Sequence, residues 1–254
     1  MKPYLDAIRA ISGELSQQIA AIPSVDWEGP TNCPPWTIRE LATHMVTSGQ
    51  GFVASVRNGL AGSTEPLTRS TLEATDPQTL ARALDLVTEE FVSLYEGLAD
   101  EQLETVCFHR RGNRSVRWYA AHRLAELAFH RWDLETSLGG RPILDRGVAR
   151  LLLPMLLESN VPRTYAAGLS AERGRGERYL LQVPDEPDLQ WTVKIDPDAL
   201  SVTPGRGNVD ATISAPAGAL ALLVYGRATL EDPRIRAEGD PEVLRRFQRV
   251  FPRP

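Results

Sequence analysis

This 254-residue sequence has no long apolar segments and little cysteine. No apolar run approaches the roughly 18 residues that a membrane span requires. The N-terminal segment has acidic and polar residues where a signal peptide needs an unbroken apolar core. We therefore expect a cytoplasmic protein that does not contact membranes. The two cysteines, Cys33 and Cys107, are too few for a disulfide framework, and we expect both to be reduced thiols.

Positive charge is also in deficit, and lysine is almost missing. The chain has 28 basic and 33 acidic residues, a formal charge of −5 and an isoelectric point near 5.5. A general nucleic-acid binder needs a basic balance, so that class is excluded. Only Lys2 and Lys194 are lysines, and we attribute the excess of arginine to a G+C-rich genome. The hydrophobic share of 42% suffices for a core, and the length fits two domains or one large one.

We predict four long helices in the first 140 residues, because apolar side chains recur there at steps of three and four. Thr37 and Glu40 fit a capping box at the start of the second helix, and Asp76 fits the N-cap of the third. The fourth helix begins near Ser115 and is ended by two glycines. The clearest apolar seams comprise Ile8, Ile11, Leu15, Ile19 and Ile22, and Leu80, Leu84, Val87, Phe91, Leu94 and Leu98. Such helices indicate an up-down four-helix bundle.

The composition changes near residue 165, where short β-rich segments replace the helical pattern. These segments cover residues 179–183, 191–195, 200–203 and 211–214, and their separation by Pro, Gly or Asp predicts a small antiparallel sheet. Further helices are expected at about 145–159, 216–225 and 241–251. We therefore predict a multidomain α+β protein, with a helical bundle at 1–160 and a small α+β domain at 165–254.

The fourth predicted helix contains an acidic residue between two histidines. His122, Glu126 and His130 are spaced by four residues and share one helix face among apolar neighbours. A carboxylate buried there needs a partner, either a metal ion or a cationic Arg or His. His44 lies at the edge of the apolar stripe of the second helix and completes a candidate three-ligand site with an open metal position. The spacing leaves open a metal-free bundle with an internal Glu–His or Glu–Arg pair.

Two segments of the bundle resemble a known family. Residues 33–44, Cys-Pro-Pro-Trp-Thr-Ile-Arg-Glu-Leu-Ala-Thr-His, resemble the C-x-x-W-x-x-x-x-L-x-x-H signature of DinB-like metal-binding bundles. Residues 123–134 resemble their E-x-x-x-H-x-x-D-L element. Within that group the chain resembles the mycothiol-dependent maleylpyruvate isomerase family, in which a DinB-like four-helix bundle precedes a sterol-carrier-like α+β domain. Tyr225-Gly226-Arg227 and Gly239-Asp240 match elements typical of that second domain.

The resemblance implies a metal-dependent enzyme that uses a low-molecular-weight thiol. It implies a divalent ion, usually zinc, at His44, Glu126 and His130, and mycothiol or a related thiol as cofactor. A metal-bound thiolate can add to an activated cis double bond, and rotation and elimination then give the trans isomer. Arg227 matches a functional arginine and is expected to bind a carboxylate. We expect an isomerase or an S-transferase acting on a small electrophile; the alternative is a non-catalytic metal- and small-ligand-binding protein.

Four other residues have roles that the sequence leaves open. Asp133 could orient His130, or it could face solvent or pack between helices. In the resemblance Cys33 belongs to the segment that leads into the second helix, and a stabilised thiolate is the alternative. His109 begins a basic stretch, residues 109–114, which could hold an anionic ligand or be a solvated loop. We expect His122 beside the metal ligands and not among them. Both a monomer and a homodimer are compatible with the sequence.

Overall fold

The computed structural model describes residues 1–68, 72 and 76–251, so the last three residues of the predicted C-terminal domain lie outside the described residues. The chain divides into two compact units, Met1–Pro142 and Ile143–Pro254. The predicted α+β class is confirmed, because the first unit is mainly helical and the second combines a sheet with helices. The division lies earlier than the predicted 160–165 boundary. The helix at Arg146–Pro154, which we predicted as part of the bundle domain, packs against the helix at Ala217–Val224 of the second unit.

Four long helices form the bundle of the first unit. They are α1 (Lys2–Ala20), α2 (Ile38–Leu60), α3 (Pro77–Glu96) and α4 (Val116–Ser137). The predicted capping box is present: the Thr37 hydroxyl accepts from the Glu40 N–H, and the Glu40 carboxylate accepts from the Thr37 N–H. Asp76 caps α3 as predicted. All five seam residues of the first predicted helix are buried, so the helical spacing correctly identified the core face of α1.

The order of the helices around the bundle determines which residues can meet. Both α3 and α4 pack against α1 and α2, which places α1 diagonally opposite α2, and α3 diagonally opposite α4. In a simple up-down bundle consecutive helices would be neighbours. Here the connections at residues 21–37 and 97–115 are long enough to cross the end of the bundle. As a result α2 lies beside α4, and these two helices carry His44, Glu126 and His130.

A two-stranded hairpin stands directly before α4. Strands β1 (Val106–Cys107) and β2 (Arg114–Ser115) pair antiparallel and hold residues 108–113 at their tip. The hairpin approaches α2 closely at Gly59, where any Cβ would overlap the sulfur of Cys107. A glycine is therefore required at this point of α2. The predicted basic stretch forms most of the hairpin tip, so its position is set by the paired strands.

The second unit is built on a five-stranded sheet with the order β5-β4-β3-β6-β7. The strands are β3 (Glu177–Gln182), β4 (Gln190–Ile195), β5 (Leu200–Pro204), β6 (Ala211–Ser214) and β7 (Arg236–Gly239). The prediction of a wholly antiparallel sheet is wrong in one pair: β6 lies parallel to β3, because the chain returns to the free side of β3 after the β3-β4-β5 meander. The edge strand β7 was not predicted, because it is largely exposed and has no alternating apolar pattern.

The helices of the second unit are α5 (Arg146–Pro154), α6 (Val161–Ala166), α7 (Ala217–Val224) and α8 (Pro241–Val250). The predicted helix at 145–159 is divided, since α5 passes into a π-helical segment at Met155–Asn160. Every residue of α7 is buried, which agrees with its uniformly apolar sequence. None of the helices in the described part of the chain is both long and apolar enough to cross a membrane.

Candidate metal centre

His44 on α2 meets Glu126 and His130 on α4. His44 Nε2 lies 3.0 Å from Glu126 Oε2, and His130 Nε2 lies 3.6 Å from the same oxygen. One ligand atom from each of the three side chains lies within 4.8 Å of the other two. Ligands of a single zinc ion must converge in this way, because each binds at about 2.0–2.2 Å from the metal. The three residues that the resemblance implied as ligands are therefore close together in space.

The cluster is buried unevenly, which leaves one side accessible. The His44 side chain is 30% exposed, whereas Glu126 is 12% and His130 is 10% exposed. Trp36 covers part of His44, with 4.5 Å between the ring centroids. A small molecule can approach from the His44 side, while the other two side chains are held inside the bundle.

Glu126 is kept ionised by its histidine neighbours. Burial alone would raise the pKa of its carboxyl group, but hydrogen bonds with His130 and His44 outweigh burial and hold the pKa well below its usual range. Among the partners that the sequence left open for this carboxylate, the structure pairs it with histidines. The Glu126 carboxylate is therefore already in the ionised form in which a carboxylate binds a divalent cation.

Asp133 orients the imidazole of His130. Its side chain is fully buried, and Oδ2 lies 3.1 Å from His130 Nδ1. This contact directs Nε2 of the same ring towards Glu126, as the outer partners of metal-bound histidines do. Burial would lower the pKa of His130, but hydrogen bonds to Asp133, Cys33 and Glu126 raise it well above its usual value. Of the roles left open for Asp133, facing solvent is excluded because the side chain is fully buried.

Cys33 contacts the same carboxylate and was not predicted to do so. Its Sγ lies 3.0 Å from Asp133 Oδ2, so this oxygen receives hydrogen bonds from both a thiol and an imidazole. We had assigned Cys33 to the lead-in of the second helix. The two residues are 100 positions apart, and the family motif beginning at Cys33 was the only sequence signal for a role near the site.

We expect Asp133→Asn to weaken metal binding about 10- to 100-fold, the usual cost of losing the outer partner of a ligating histidine. The amide removes the negative charge that His130 Nδ1 faces, so the ring is no longer held in one orientation. Competition with a chromogenic chelator measures the affinity, and Asp100→Asn in an exposed helical turn is the matched control. An affinity for zinc within twofold of wild type would contradict the orienting role.

His122 lies beside the three candidate ligands. Its Nε2 is 3.9 Å from Glu126 Oε1, which is beyond hydrogen-bonding distance. The ring stacks on Trp118 at 4.3 Å between centroids and touches Phe52 at 5.1 Å. Burial lowers the pKa of His122, against a smaller opposite effect of Glu126. The imidazole is therefore held between two aromatic rings, on the side of Glu126 away from His44 and His130.

A buried arginine that we had not singled out lies close to the ligands in sequence. Arg123 is fully buried and donates from Nη1 to the Met45 carbonyl oxygen at 2.8 Å. Gly49 leaves space for it, because a Cβ at that position would stand only 2.9 Å from the guanidinium carbon. Burial lowers the pKa of Arg123 to about 10, so the group stays charged at neutral pH. Arg123 places a positive charge one turn before Glu126. The spacing of apolar residues did not indicate that this arginine is buried.

Arg227 belongs to the second unit and follows α7 directly. It is half-buried, its Nη1 donates to the Tyr225 carbonyl oxygen at 3.3 Å, and its guanidinium carbon lies 5.0 Å from the centre of the Tyr225 ring. Its backbone N–H donates to the Leu222 carbonyl at 2.7 Å, which ties the residue to the last turn of α7. Both the side chain and the backbone of Arg227 are therefore held by residues of its own unit.

Comparisons with known proteins cover both units. The family model described as mycothiol maleylpyruvate isomerase N-terminal domain matches residues 8–135, and the model described as MDMPI C-terminal domain matches residues 144–246. No curated protein matches the chain significantly in sequence. The crystal structure of the mycothiol-dependent maleylpyruvate isomerase shares the fold, with a TM-score of 0.64 and 14% identity over 94% of this chain and 93% of that chain. A histidine-to-alanine mutant of it gives the same values. The chain belongs to the mycothiol maleylpyruvate isomerase family.

Proposed function

We propose that this protein is a metal- and thiol-dependent isomerase that converts a small cis-configured electrophile into its trans isomer. The observation that carries the proposal is the convergence of His44, Glu126 and His130 from two adjacent helices. Family membership supports the reaction class, with maleylpyruvate as the model substrate and mycothiol or a related thiol as cofactor. A thiol-dependent reaction suits a reducing compartment, in agreement with the cytoplasmic location expected from the sequence.

The residues present fit a divalent ion such as zinc. Two imidazoles and one carboxylate are typical ligands of catalytic zinc, and three protein ligands leave a further position for an external group. The partial exposure of His44 gives access to that position. The contact between His130 and Asp133 supplies the outer hydrogen bond that ligating histidines normally make. A purely internal Glu–His pair would need neither a second histidine nor an accessible side.

In the proposed reaction the bound groups supply the reactive thiolate, and the side chains of this protein hold and orient those groups. When bound together, a divalent metal and a low-molecular-weight thiol supply a thiolate that adds reversibly to an activated cis double bond and so permits rotation. Glu126 provides the negative charge that holds the cation between the two histidines. Asp133 fixes the ring of His130, and Trp36 packs against the ring of His44. None of these side chains is consumed, as a catalytic cycle requires.

We propose that Arg227 binds a carboxylate of the substrate or cofactor. The support is its match to the family element Tyr225-Gly226-Arg227 and the geometry of the guanidinium, whose planar fork pairs with both oxygens of a carboxylate. The Tyr225 ring and carbonyl limit the freedom of the side chain. An arginine held in this way loses less conformational entropy on binding than a freely moving one.

The decisive experiment incubates zinc-loaded protein with mycothiol and maleylpyruvate and follows the vinyl protons by NMR. Appearance of the trans product with full recovery of the thiol supports the isomerase. Loss of thiol into a stable adduct would instead establish an S-transferase. Tight binding of metal and thiol with no turnover would establish the non-catalytic alternative. Either of the last two outcomes contradicts the proposal.

A further inference from the structure

The tip of the β1–β2 hairpin lies close to the candidate metal ligands. The ring of His109 at this tip is 6.0 Å from the ring of His122, measured between centroids. His122 in turn neighbours Glu126, at 3.9 Å between Nε2 and Oε1. A single imidazole therefore separates the hairpin tip from the metal centre, and all of these residues belong to the first unit.

His109 has a defined tautomer and an unused hydrogen-bond donor. Its Nδ1 accepts from the backbone N–H of Arg111 at 3.2 Å, so the neutral ring carries its proton on Nε2. Burial, aided by the positive charges of the nearby arginines, lowers the pKa of His109 to about 4. The ring is thus neutral at pH 7. Within the described part of the chain, Nε2 makes no hydrogen bond.

Arg114 shapes the tip. It donates to the backbone carbonyls of residues 111, 112 and 113, and its guanidinium lies over the ring of Trp118 at 5.4 Å. These hydrogen bonds hold the loop at residues 111–113 around the Arg114 side chain. Arg114 therefore has a structural role here, and it keeps the neighbouring residues in fixed positions.

Arg110 and Arg111 do not have a structural role of this kind. Both are exposed, and neither pairs with an acidic side chain among the residues that the structure describes. Their positive charges nevertheless act on the neighbouring ring of His109, where they lower the pKa. The hairpin tip is therefore positively charged, and none of its residues 108–113 carries a carboxylate that could neutralise it.

Aromatic rings form one wall of this region. The ring of His109 meets the ring of Trp118 edge-on at 5.1 Å between centroids, and Trp118 stacks on His122. Phe52 covers another side of His122. Hydrogen bonds to an anion are stronger where such groups exclude water. Two exposed cations, a neutral donor and an aromatic wall together match a carboxylate attached to a conjugated carbon chain.

We propose that His109, Arg110 and Arg111 bind a carboxylate of the electrophile at the end remote from its reacting double bond. The inference rests on the proposed function, because it takes the metal centre as the place of reaction. The hairpin tip is one ring away from that centre, so the group bound there is not the group that reacts. Maleylpyruvate suits this arrangement because it carries carboxylates at both ends of a short chain.

The first test uses the double variant Arg110→Ala/Arg111→Ala and the variant His109→Phe, which keeps an aromatic ring but removes the donor. For each we expect the KM for maleylpyruvate to rise about 10- to 100-fold, as the loss of charge-assisted hydrogen bonds predicts. The kcat, the KM for the thiol and the zinc content should stay close to wild type. Arg82→Ala on the exposed face of α3 is the matched control for lost charge. A rise in the KM for the thiol instead, or no change in either KM, would overturn the proposal.

The second test separates this inference from the proposed activity. Calorimetric titration of the zinc-loaded protein with succinate uses a dicarboxylate that has no double bond to isomerise. We expect the double variant to bind succinate at least tenfold more weakly than wild type and Arg82→Ala, and the difference to shrink as ionic strength rises. If that holds without any isomerase activity, the carboxylate site is supported and the proposed function fails. Equal succinate affinity in wild type and the double variant would contradict the carboxylate site.

Discussion

Replacing His44 or His130 by alanine is expected to strip the divalent metal from the protein. Each substitution removes one of three ligands, and the two that remain cannot enclose the ion. We expect affinity for zinc to fall by more than about 100-fold, beyond the loss caused by an outer hydrogen-bond partner. Elemental analysis of protein purified without chelators should show close to one ion per chain in wild type and little in either variant. Thiol-dependent activity should fall with metal content.

His122→Ala provides a matched control for this prediction. It removes an imidazole from the same helix face, one turn before Glu126, but from a ring whose Nε2 is 3.9 Å from the carboxylate. The variant should therefore retain most of its metal. Equal loss of metal from this variant would mean that the ligand set is wrong. Failure of the wild-type protein to bind any metal after careful loading would contradict the metal centre altogether.

Half of this metal centre could be predicted from local sequence patterns. Two residues spaced by four positions share a helix face whatever the tertiary structure, so Glu126 and His130 were certain to be neighbours once α4 formed. The capping box at Thr37 and Glu40 defines where α2 begins, and so places His44 in its second turn. What local patterns cannot supply is the packing of α2 beside α4. That neighbour relation depends on two long connections that cross the bundle; the sequence allowed it as one possibility, and the family resemblance implied it.

The contacts that we did not predict all join groups that are distant in sequence. Cys33 and Asp133 share a hydrogen bond across 100 positions. Arg123 lies buried against the backbone of α2 because Gly49 lacks a side chain, a fit between two helix surfaces that neither helix reveals alone. In the second unit, the parallel pairing of β6 with β3 depends on where the chain returns after the meander. Hydropathy patterns predict which face of a helix or strand is buried. They do not predict which distant group packs against that face.

Arg227→Lys is expected to reduce catalytic efficiency even though it preserves the positive charge. A lysine ammonium is a point charge and cannot donate two parallel hydrogen bonds to the oxygens of a carboxylate. Arg227→Ala should be more severe, since it also removes the charge. Losing a charged contact of this kind costs on the order of 2–4 kcal/mol, which corresponds to about a thirtyfold to thousandfold drop in kcat/KM.

The same variants should leave the metal and the fold nearly intact. Arg227 is not a proposed ligand, and its contact with the Tyr225 ring contributes about 0.5–1 kcal/mol, so the melting temperature should fall by only a few degrees. Arg245 on α8 is an exposed arginine of the same unit, paired with Glu242, and Arg245→Lys and Arg245→Ala serve as controls. We would measure kcat/KM, zinc content and melting temperature for all four variants. Full activity in both Arg227 variants would remove this residue from the mechanism, whereas a loss of activity matched by a collapse in melting temperature would assign it to folding alone.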